Sequence, residues 1–133
     1  MAYHFTIISD LQELPTEWEA VVSCNNVLIS KNCFEVLQRS KPENMECYAI
    51  CFYKNEKLIG GALFQYLDFQ KHSTFQKNEI WCDVRNFLAK KYSKDVLIIG
   101  NNMLTGENGG HFDFNEISPE EANNLIEKAV LEF

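Results

Sequence analysis

Two long apolar segments joined by a short polar one constrain the fold of this chain more than any other feature. Residues 47–53 are almost all apolar, and residues 58–67 are apolar except for two glycines and one glutamine. The polar residues 54–57 between them are typical of a turn, which predicts that the two segments pair as β-strands. A strand with two apolar faces is buried on both of them. We therefore expect this hairpin to form the middle of a sheet that helices cover.

Gly60 and Gly61 fall inside the second predicted strand, where glycine weakens strand pairing. Such a pair indicates a β-bulge, or a place where another group comes close to the backbone. That group is either a ligand or a neighbouring helix, and the helix is the simpler interpretation.

Local signals in the first third of the chain predict a strand and two helices. Residues 4–9 have the composition of a short strand. Thr16 and Glu19 have the spacing of a capping box, which predicts a helix that begins there. Ser30 is the predicted cap of a second helix, and Pro42 ends that helix because it disfavours the helical conformation of the residue before it.

The second half of the chain contains two more predicted helices. One begins at Asn78 or Glu79 and carries its apolar side chains on one face, namely Ile80, Trp81, Val84, Phe87, Leu88 and Tyr92. The other begins at Ser118, where Pro119 and Glu121 complete the strongest helix-start signal in the sequence. Residues 96–100 predict a fully buried strand between these helices, and residues 111–114 are a further strand candidate.

These elements predict a single α/β domain over residues 1–133, with a mixed, mostly antiparallel central sheet flanked by helices. The first residues lack the basic and apolar regions of a signal peptide, and no apolar segment approaches the roughly 20 residues that cross a bilayer. The five cysteines show no metal-ligand spacing and are predicted to be reduced core residues. We expect a cytoplasmic protein without a membrane partner.

The net charge of −7 is concentrated near the C-terminus. Residues 101–133 contain seven acidic residues and one lysine, a net charge of −6, whereas residues 1–100 contain 12 acidic and 11 basic residues, a net charge of −1. Such a field disfavours nucleic acid and anionic membranes and favours a cationic partner, for example a small-molecule amine. A solvated helix face is the simpler explanation for most of the excess.

The segment 101–110 has the strongest functional character, since it is long, contains three glycines and follows a predicted buried strand. It lacks the GxxxxGK[ST] and GxGxxG patterns and contains no Lys or Arg, so phosphate binding is disfavoured. The candidate substrate-binding residues are Asn101, Asn102, Gly106, Glu107, Gly109, Gly110 and His111.

Catalytic and metal-binding residues are not predicted. His111, Asp113 and Glu107 form too scattered a set to indicate a metal site. The sequence shows neither a GxSxG nucleophile elbow nor a paired Cys and His. A basic surface interleaved with aromatic residues is also missing, so no nucleic-acid partner is expected.

The order of the predicted segments resembles the N-terminal portion of GNAT-type acyltransferases. The likeness is carried by Trp18, residues 28–42 (LISKNCFEVLQRSKP), residues 48–66 (YAICFYKNEKLIGGALFQY) and above all residues 96–110 (VLIIGNNMLTGENGG). The likeness covers almost the whole chain. It is strongest to the larger bacterial members of the GNAT family, which are described as peptidoglycan-biosynthesis-like. The resemblance implies transfer of an acyl group from acetyl-CoA or another acyl-CoA to an amine acceptor, on a GNAT-like sheet that splays to admit the pantetheine arm.

One motif of that family is missing here. GNAT-type enzymes bind the pyrophosphate of coenzyme A on a [QR]xxGx[GA] loop, and the residues three positions before the glycines of the loop are Met103, Gly106 and Glu107. The resemblance therefore implies that the chain is the N-terminal part of a longer acyltransferase, holds no cofactor itself and is inactive alone. Acyl-CoA would bind in the full-length protein.

Two alternatives remain open at the level of sequence. The chain is either an acyltransferase part whose last helix leaves apolar surface exposed, or a small non-catalytic binding or dimerisation module that buries this surface against a second copy, as a homodimer, or against another protein. The last-helix side chains concerned are Leu125, Ile126, Val130 and Phe133. An independent enzyme that uses His111 or a cysteine is a third, less favoured hypothesis.

Overall fold

The computed structural model describes residues 2–24, 26–68, 82–92 and 94–133 of the chain. The elements are β1 Tyr3–Ile8, α1 Trp18–Val21, α2 Lys31–Ser40, β2 Met45–Lys54, β3 Lys57–Asp68, α3 Cys82–Tyr92, β4 Asp95–Ile99, β5 Gly110–Phe112 and α4 Pro119–Val130, with short 3-10 turns at Leu11–Glu13 and Val27–Ile29. The α/β class predicted from the sequence is confirmed.

The five strands form one sheet in the order β1-β2-β3-β4, and β5 pairs with β3 as well. Each of these pairings is antiparallel. Since β2 occupies one side of β3, both β4 and β5 lie along its other side. The predicted hairpin, β2 and β3, is therefore the centre of the sheet.

Both faces of the central hairpin are buried, as its apolar composition predicts. One face meets α1 and α2 in a cluster that includes Trp18, Phe34, Leu37, Cys47, Ala49, Cys51 and Leu63. The opposite face meets α4 in a second cluster that includes Ile50, Phe52, Ile59, Phe64, Phe112, Leu125 and Ala129. The sheet is thus the middle layer of three.

The two glycines of β3 serve both of the roles considered from the sequence. The β2–β3 register shifts between Phe52 and Tyr53, which makes Ile59 the extra residue of a β-bulge. A Cβ atom on Gly61 would overlap the indole ring of Trp18, so α1 packs directly on the strand backbone there. The neighbouring-helix interpretation is confirmed for Gly61.

Three helix-boundary predictions are also confirmed. The Ser30 hydroxyl accepts a hydrogen bond from the Cys33 N–H at 3.2 Å and caps α2. That helix ends at Ser40, because Lys41, the residue before Pro42, adopts an extended conformation. At α4, Ser118 and Glu121 form both hydrogen bonds of a capping box.

The capping box predicted for the first helix is wrong. Helix α1 is a single turn, and its cap residue Glu17 makes no side-chain hydrogen bond to the helix. The Thr16 hydroxyl binds the Glu17 carboxylate, whereas Glu19 Oε1 accepts the Lys31 N–H at 2.7 Å. Glu19 therefore joins α1 to the start of α2 instead of capping its own helix.

Strand β4 is only half-buried, whereas a fully buried strand is predicted. Its neighbour on one side is β3, and no strand among the described residues pairs with its other side. Ile99 is consequently 47% exposed. The predicted start of the third helix, including Ile80 and Trp81, lies outside the described residues.

Helix α4 covers its apolar face within the chain. Leu125 is buried, and Ile126 and Val130 pack against the same cluster under the sheet. The Phe133 ring lies 5.0 Å from that of Tyr48, between ring centroids. Leu125, Ile126 and Val130 are therefore not available for the dimer surface or the exposed apolar face predicted for them, whereas Phe133 is 43% exposed. A homodimer through this helix stays a prediction.

Among the described residues, no helix has the length and apolar character that a membrane span requires.

Candidate functional site

Strands β4 and β5 are two parts of one edge strand that a loop interrupts. β4 pairs with residues 64–68 of β3, and β5 pairs with residues 60–62. Between them, Leu63 donates its N–H to the Gly109 carbonyl and accepts the Gly100 N–H, both at 2.8 Å. Residues 100–109, here called the edge loop, therefore leave and rejoin the sheet at a single residue of β3.

Buried amide side chains anchor the edge loop to the sheet. Gln65 of β3 is fully buried, and its Oε1 accepts the Asn102 N–H at 2.9 Å. Its Nε2 donates to Asn101 Oδ1 at 3.4 Å, and that oxygen also accepts the Met103 N–H at 2.9 Å. The start of the loop is thus fastened to the strand beneath it.

The backbone of the edge loop does not fit a bound pyrophosphate. Phosphate-binding loops offer several free N–H groups, usually with a basic side chain nearby. Here the N–H groups of residues 101–104 are all hydrogen-bonded within the chain, to Asn108 Oδ1, Gln65 Oε1, Asn101 Oδ1 and Asn101 O respectively. The edge loop also contains the acidic Glu107 and no Lys or Arg, so coenzyme A has no fitting cradle there.

A cavity of about 240 Å³ opens between the edge loop and the end of α1. We call it the loop cavity, and its lining residues are Val22, Cys24, Asn26, Ile29, Glu107, Gly110 and His111. Asn26 fastens one wall to the other, because its Nδ2 donates to the Glu107 carbonyl while its Oδ1 accepts the Leu28 N–H at 3.0 Å. Its apolar lining residues Val22 and Ile29 are buried and form what we call the floor, whereas Glu107 and His111 are exposed and form the rim.

Three of the seven predicted site residues meet at the loop cavity, namely Glu107, Gly110 and His111. Glu107 and His111 are exposed, so a carboxylate and an imidazole face solvent at the same opening. Among the described residues, no side chain pairs with the Glu107 carboxylate. This combination of a negative charge and a proton acceptor suits a cationic ligand.

The other four predicted residues shape the loop instead of lining its cavity. Asn101 is 5% exposed and belongs to the anchoring network, and the Gly109 carbonyl is bonded to β3. Asn102 and Gly106 are exposed, and Gly106 has a positive φ of 111°, a conformation that favours glycine.

The sequence reasoning missed Cys24 and Asn26, which come from a segment about 80 positions away from the loop. Cys24 is exposed, so the prediction that every cysteine belongs to the core is wrong at this position. It holds for Cys47 and Cys51, which are buried, and burial raises the pKa of the Cys51 thiol to about 11. No local signal distinguishes Cys24, since its role depends on the tertiary fold.

Within the described part of the chain, no group of three or more His, Cys, Asp or Glu side chains is placed to hold a metal ion. Asp113, considered with His111 and Glu107 as a ligand, accepts hydrogen bonds from Asn115 instead.

Comparison of the chain with protein-family models, with characterised proteins and with solved structures yielded no match.

Proposed function

We propose that this chain provides the amine-acceptor site of an acyltransferase, and that the loop cavity holds the acceptor. The observation that carries the proposal is the presence of Glu107 and His111 at one opening that no Lys or Arg of the described residues lines. A carboxylate attracts an ammonium group, and the apolar floor formed by Val22 and Ile29 would accept the carbon next to it.

The two rim residues have complementary roles in this proposal. An amine is protonated near neutral pH and must lose a proton before its nitrogen can attack an acyl carbonyl. The Glu107 carboxylate would hold the ammonium form, and the His111 imidazole would act as the general base that accepts the proton. No other side chain of the cavity combines these properties.

Much of the remaining acidic charge has a structural explanation, which leaves Glu107 distinct. Glu116 forms ion pairs with Lys54 and Lys57, and Glu121 belongs to the capping box of α4. Glu120 and Glu127 lie on the exposed face of that helix, as a solvated helix face predicts. The acidic field would still guide a cation toward this half of the chain.

The proposal limits this chain to the acceptor. The N–H groups at the start of the edge loop are already bonded, and Glu107 would repel a pyrophosphate. We therefore assign the acyl donor, acetyl-CoA or another acyl-CoA, to a part of a longer protein, in agreement with the missing [QR]xxGx[GA] motif.

The test is an NMR titration of the labelled chain with ethylamine, ethanol and acetate as three probes of similar size. Ethylamine is expected to shift the His111 ring signals and the Glu107 and Gly110 amide signals, whereas ethanol and acetate leave them in place. Because exposed ion pairs contribute only about 0–1 kcal/mol, whereas a dissociation constant of about 1 mM needs about 4 kcal/mol, ethylamine should bind weakly, with a dissociation constant well above about 1 mM.

A matched pair of variants checks the assignment. Glu107→Gln should abolish the ethylamine shifts, and Glu43→Gln, which changes an exposed carboxylate away from the cavity, should leave them intact. Ethylamine shifts that persist in Glu107→Gln would contradict the proposal. Acetyl-CoA alone should not raise the melting temperature, and clear stabilisation would contradict the limitation to the acceptor.

A non-catalytic binding or dimerisation module is the second candidate, and α3 is the observation that favours it. Four of its apolar side chains share one helical face and are 45–75% exposed, namely Val84, Phe87, Leu88 and Tyr92. A second copy of the chain would bury this face in a homodimer. Sedimentation should then show a dimer that Phe87→Ser dissociates. Leu131→Ser, which changes an exposed apolar residue at the end of α4, should leave the dimer intact. A monomer at every concentration would exclude the homodimer.

A further inference from the structure

A second opening lies beside the loop cavity and is more apolar. It is a groove of about 760 Å³ between the tip of the edge loop and α2, lined by Val27, Leu28, Val36 and Leu104 among others. Three of these side chains are unusually exposed for apolar residues: Val27 is 74%, Val36 is 66% and Leu104 is 39% exposed. We call this opening the tail groove.

The tail groove and the loop cavity share a wall. Cys24 and Asn26 line both openings. On one side of Cys24 and Asn26 lies the cavity with the exposed Glu107 carboxylate, and on the other side lies the groove with its aliphatic side chains. The two openings together have a charged end and an apolar end.

The tail groove offers no free charge of its own. Its one carboxylate is Glu19, whose Oε1 accepts the Lys31 N–H at 2.7 Å and whose Oε2 accepts the Ser23 hydroxyl. Hydrogen bonding to Ser23 lowers the pKa of Glu19, and both of its oxygens are occupied by these neighbours. In the part of the chain that the structure describes, no Lys or Arg lines the groove. Ser30 and Asn32 are neutral polar residues of the lining, so a charged ligand would find no free opposite charge among the residues that line the groove, whereas an alkyl chain on the aliphatic side chains would lose unfavourable contact with water.

We propose that the acceptor is an amphipathic primary amine whose ammonium group lies at Glu107 and whose alkyl chain lies in the tail groove. This inference rests on the proposed function and extends it, because it names the class of acceptor. The apolar lining of the tail groove selects an alkyl chain in the ligand, and the Glu107 carboxylate selects an ammonium head group. The wall shared by the two openings, Cys24 and Asn26, connects these two parts of the site.

The expected signature is a dependence of affinity on chain length. Complete burial of a CH₂ group corresponds to about a fourfold gain in affinity. Because the tail groove is open on one side, we expect about a twofold gain for each CH₂ from ethylamine through butylamine to hexylamine. These probes are titrated against the 133-residue chain by NMR, with 1-hexanol as the neutral probe of matching length.

Exposed residues provide variants that should not disturb folding. Val27→Ser and Val36→Ser replace side chains that are mostly in solvent, and each should reduce the gain per CH₂ while leaving ethylamine binding unchanged. Leu131→Ser is the matched control, since Leu131 is 78% exposed and lies away from the groove. Glu107→Gln should weaken all amines by a similar factor, so that ethylamine no longer shifts the signals while butylamine and hexylamine keep their relative affinities.

The outcomes separate this inference from the proposed function. If ethylamine binds at Glu107 and affinity is the same for all chain lengths, the tail groove is not a binding site and the inference is overturned, while the amine site stands. If 1-hexanol binds as tightly as hexylamine, the amine proposal fails, and the acceptor class fails with it. A gain with chain length that Leu131→Ser abolishes and Val36→Ser does not would also overturn it.

Discussion

Asn108 bridges the neck of the edge loop to Asn101. Its Oδ1 accepts the Asn101 N–H at 2.9 Å, and its Nδ2 donates to the Asn101 carbonyl at 3.3 Å. The same Nδ2 also donates to the Leu104 carbonyl at 3.0 Å. One amide side chain thus holds together both ends of the edge loop. This loop forms one wall of the loop cavity, the proposed acceptor site.

We expect Asn108→Ala to destabilise the fold by about 1–3 kcal/mol, because it leaves the Asn101 N–H without its partner and removes one of the two donors to the Asn101 carbonyl, which keeps the Leu104 N–H. Urea unfolding measures the change. Asn102→Ala is the control in the same loop, since the Asn102 side chain is exposed, and it should change stability by less than about 0.5 kcal/mol. Equal effects of the two substitutions would show that the bridge does not stabilise the loop.

The contact between Trp18 and Gly61 leads to a second prediction. Gly61→Ala would force a methyl group into the indole of Trp18, which is fully buried and donates its Nε1–H to the Ile29 carbonyl at 2.8 Å. We expect a loss of about 1–3 kcal/mol, since the ring cannot move without breaking that bond. Gly109→Ala, where the new Cβ meets its nearest atom at an ordinary 3.7 Å, should lower the melting temperature far less.

Elements with a local signal were predictable from the sequence. The apolar runs of β2 and β3 identify the centre of the sheet, because only a strand covered on both faces tolerates them. Ser30, Pro42 and Ser118 mark helix boundaries through contacts with residues at most four positions away. The capping box predicted at Thr16 does not form, because a contact that is distant in sequence replaces the local one. Glu19, the predicted partner of Thr16, binds Lys31, a residue outside the local window.

The candidate site was predictable only in part. Glu107, Gly110 and His111 were found because a glycine-rich loop after a strand is a local pattern. The opposite wall was not, since Cys24 and Asn26 reach the loop through the packing of α1 on Gly61. Gln65 was predicted only as an interruption of an apolar strand, and its bond to Asn102 spans 37 positions. Contacts of that range have no signature in a single sequence.

The ion pairs of Glu116 make acid stability a third prediction. Hydrogen bonds from Lys57 and then Lys54 lower the pKa of Glu116 below its ordinary value of 4.5. A carboxyl group whose pKa is lowered by folding stabilises the fold, and this stabilisation is fully present above pH 4.5. The stabilisation is lost as the pH falls through the lower pKa of the folded state. Glu116→Gln should therefore lower the melting temperature at neutral pH, and the difference should shrink in acid and in high salt. Glu43→Gln should show no such trend, and a difference that does not depend on pH would contradict the assignment.

Thiol labelling tests the burial of the cysteines and the proposed site together. Burial raises the pKa of Cys47 and raises that of Cys51 to about 11, so both remain protonated and covered in the folded chain. Iodoacetamide should therefore modify the exposed Cys24 first, and Cys47 and Cys51 only after unfolding, as peptide mass mapping would show. Raising the pH to about 9 should not change this order, because the folded-state pKa of Cys51 lies higher.

The same labelling reports on ligand binding, because Cys24 lines both the loop cavity and the tail groove. Saturating hexylamine should slow the modification of Cys24 severalfold, and Glu107→Gln should remove this protection at the same amine concentration. Cys51 serves as the internal control, since it lies in the core between the sheet and α1 and α2 and its slow modification should not respond to the amine. Modification of Cys51 at the rate of Cys24 in the folded chain would contradict the packing, and full reactivity of Cys24 at saturating hexylamine would contradict the site.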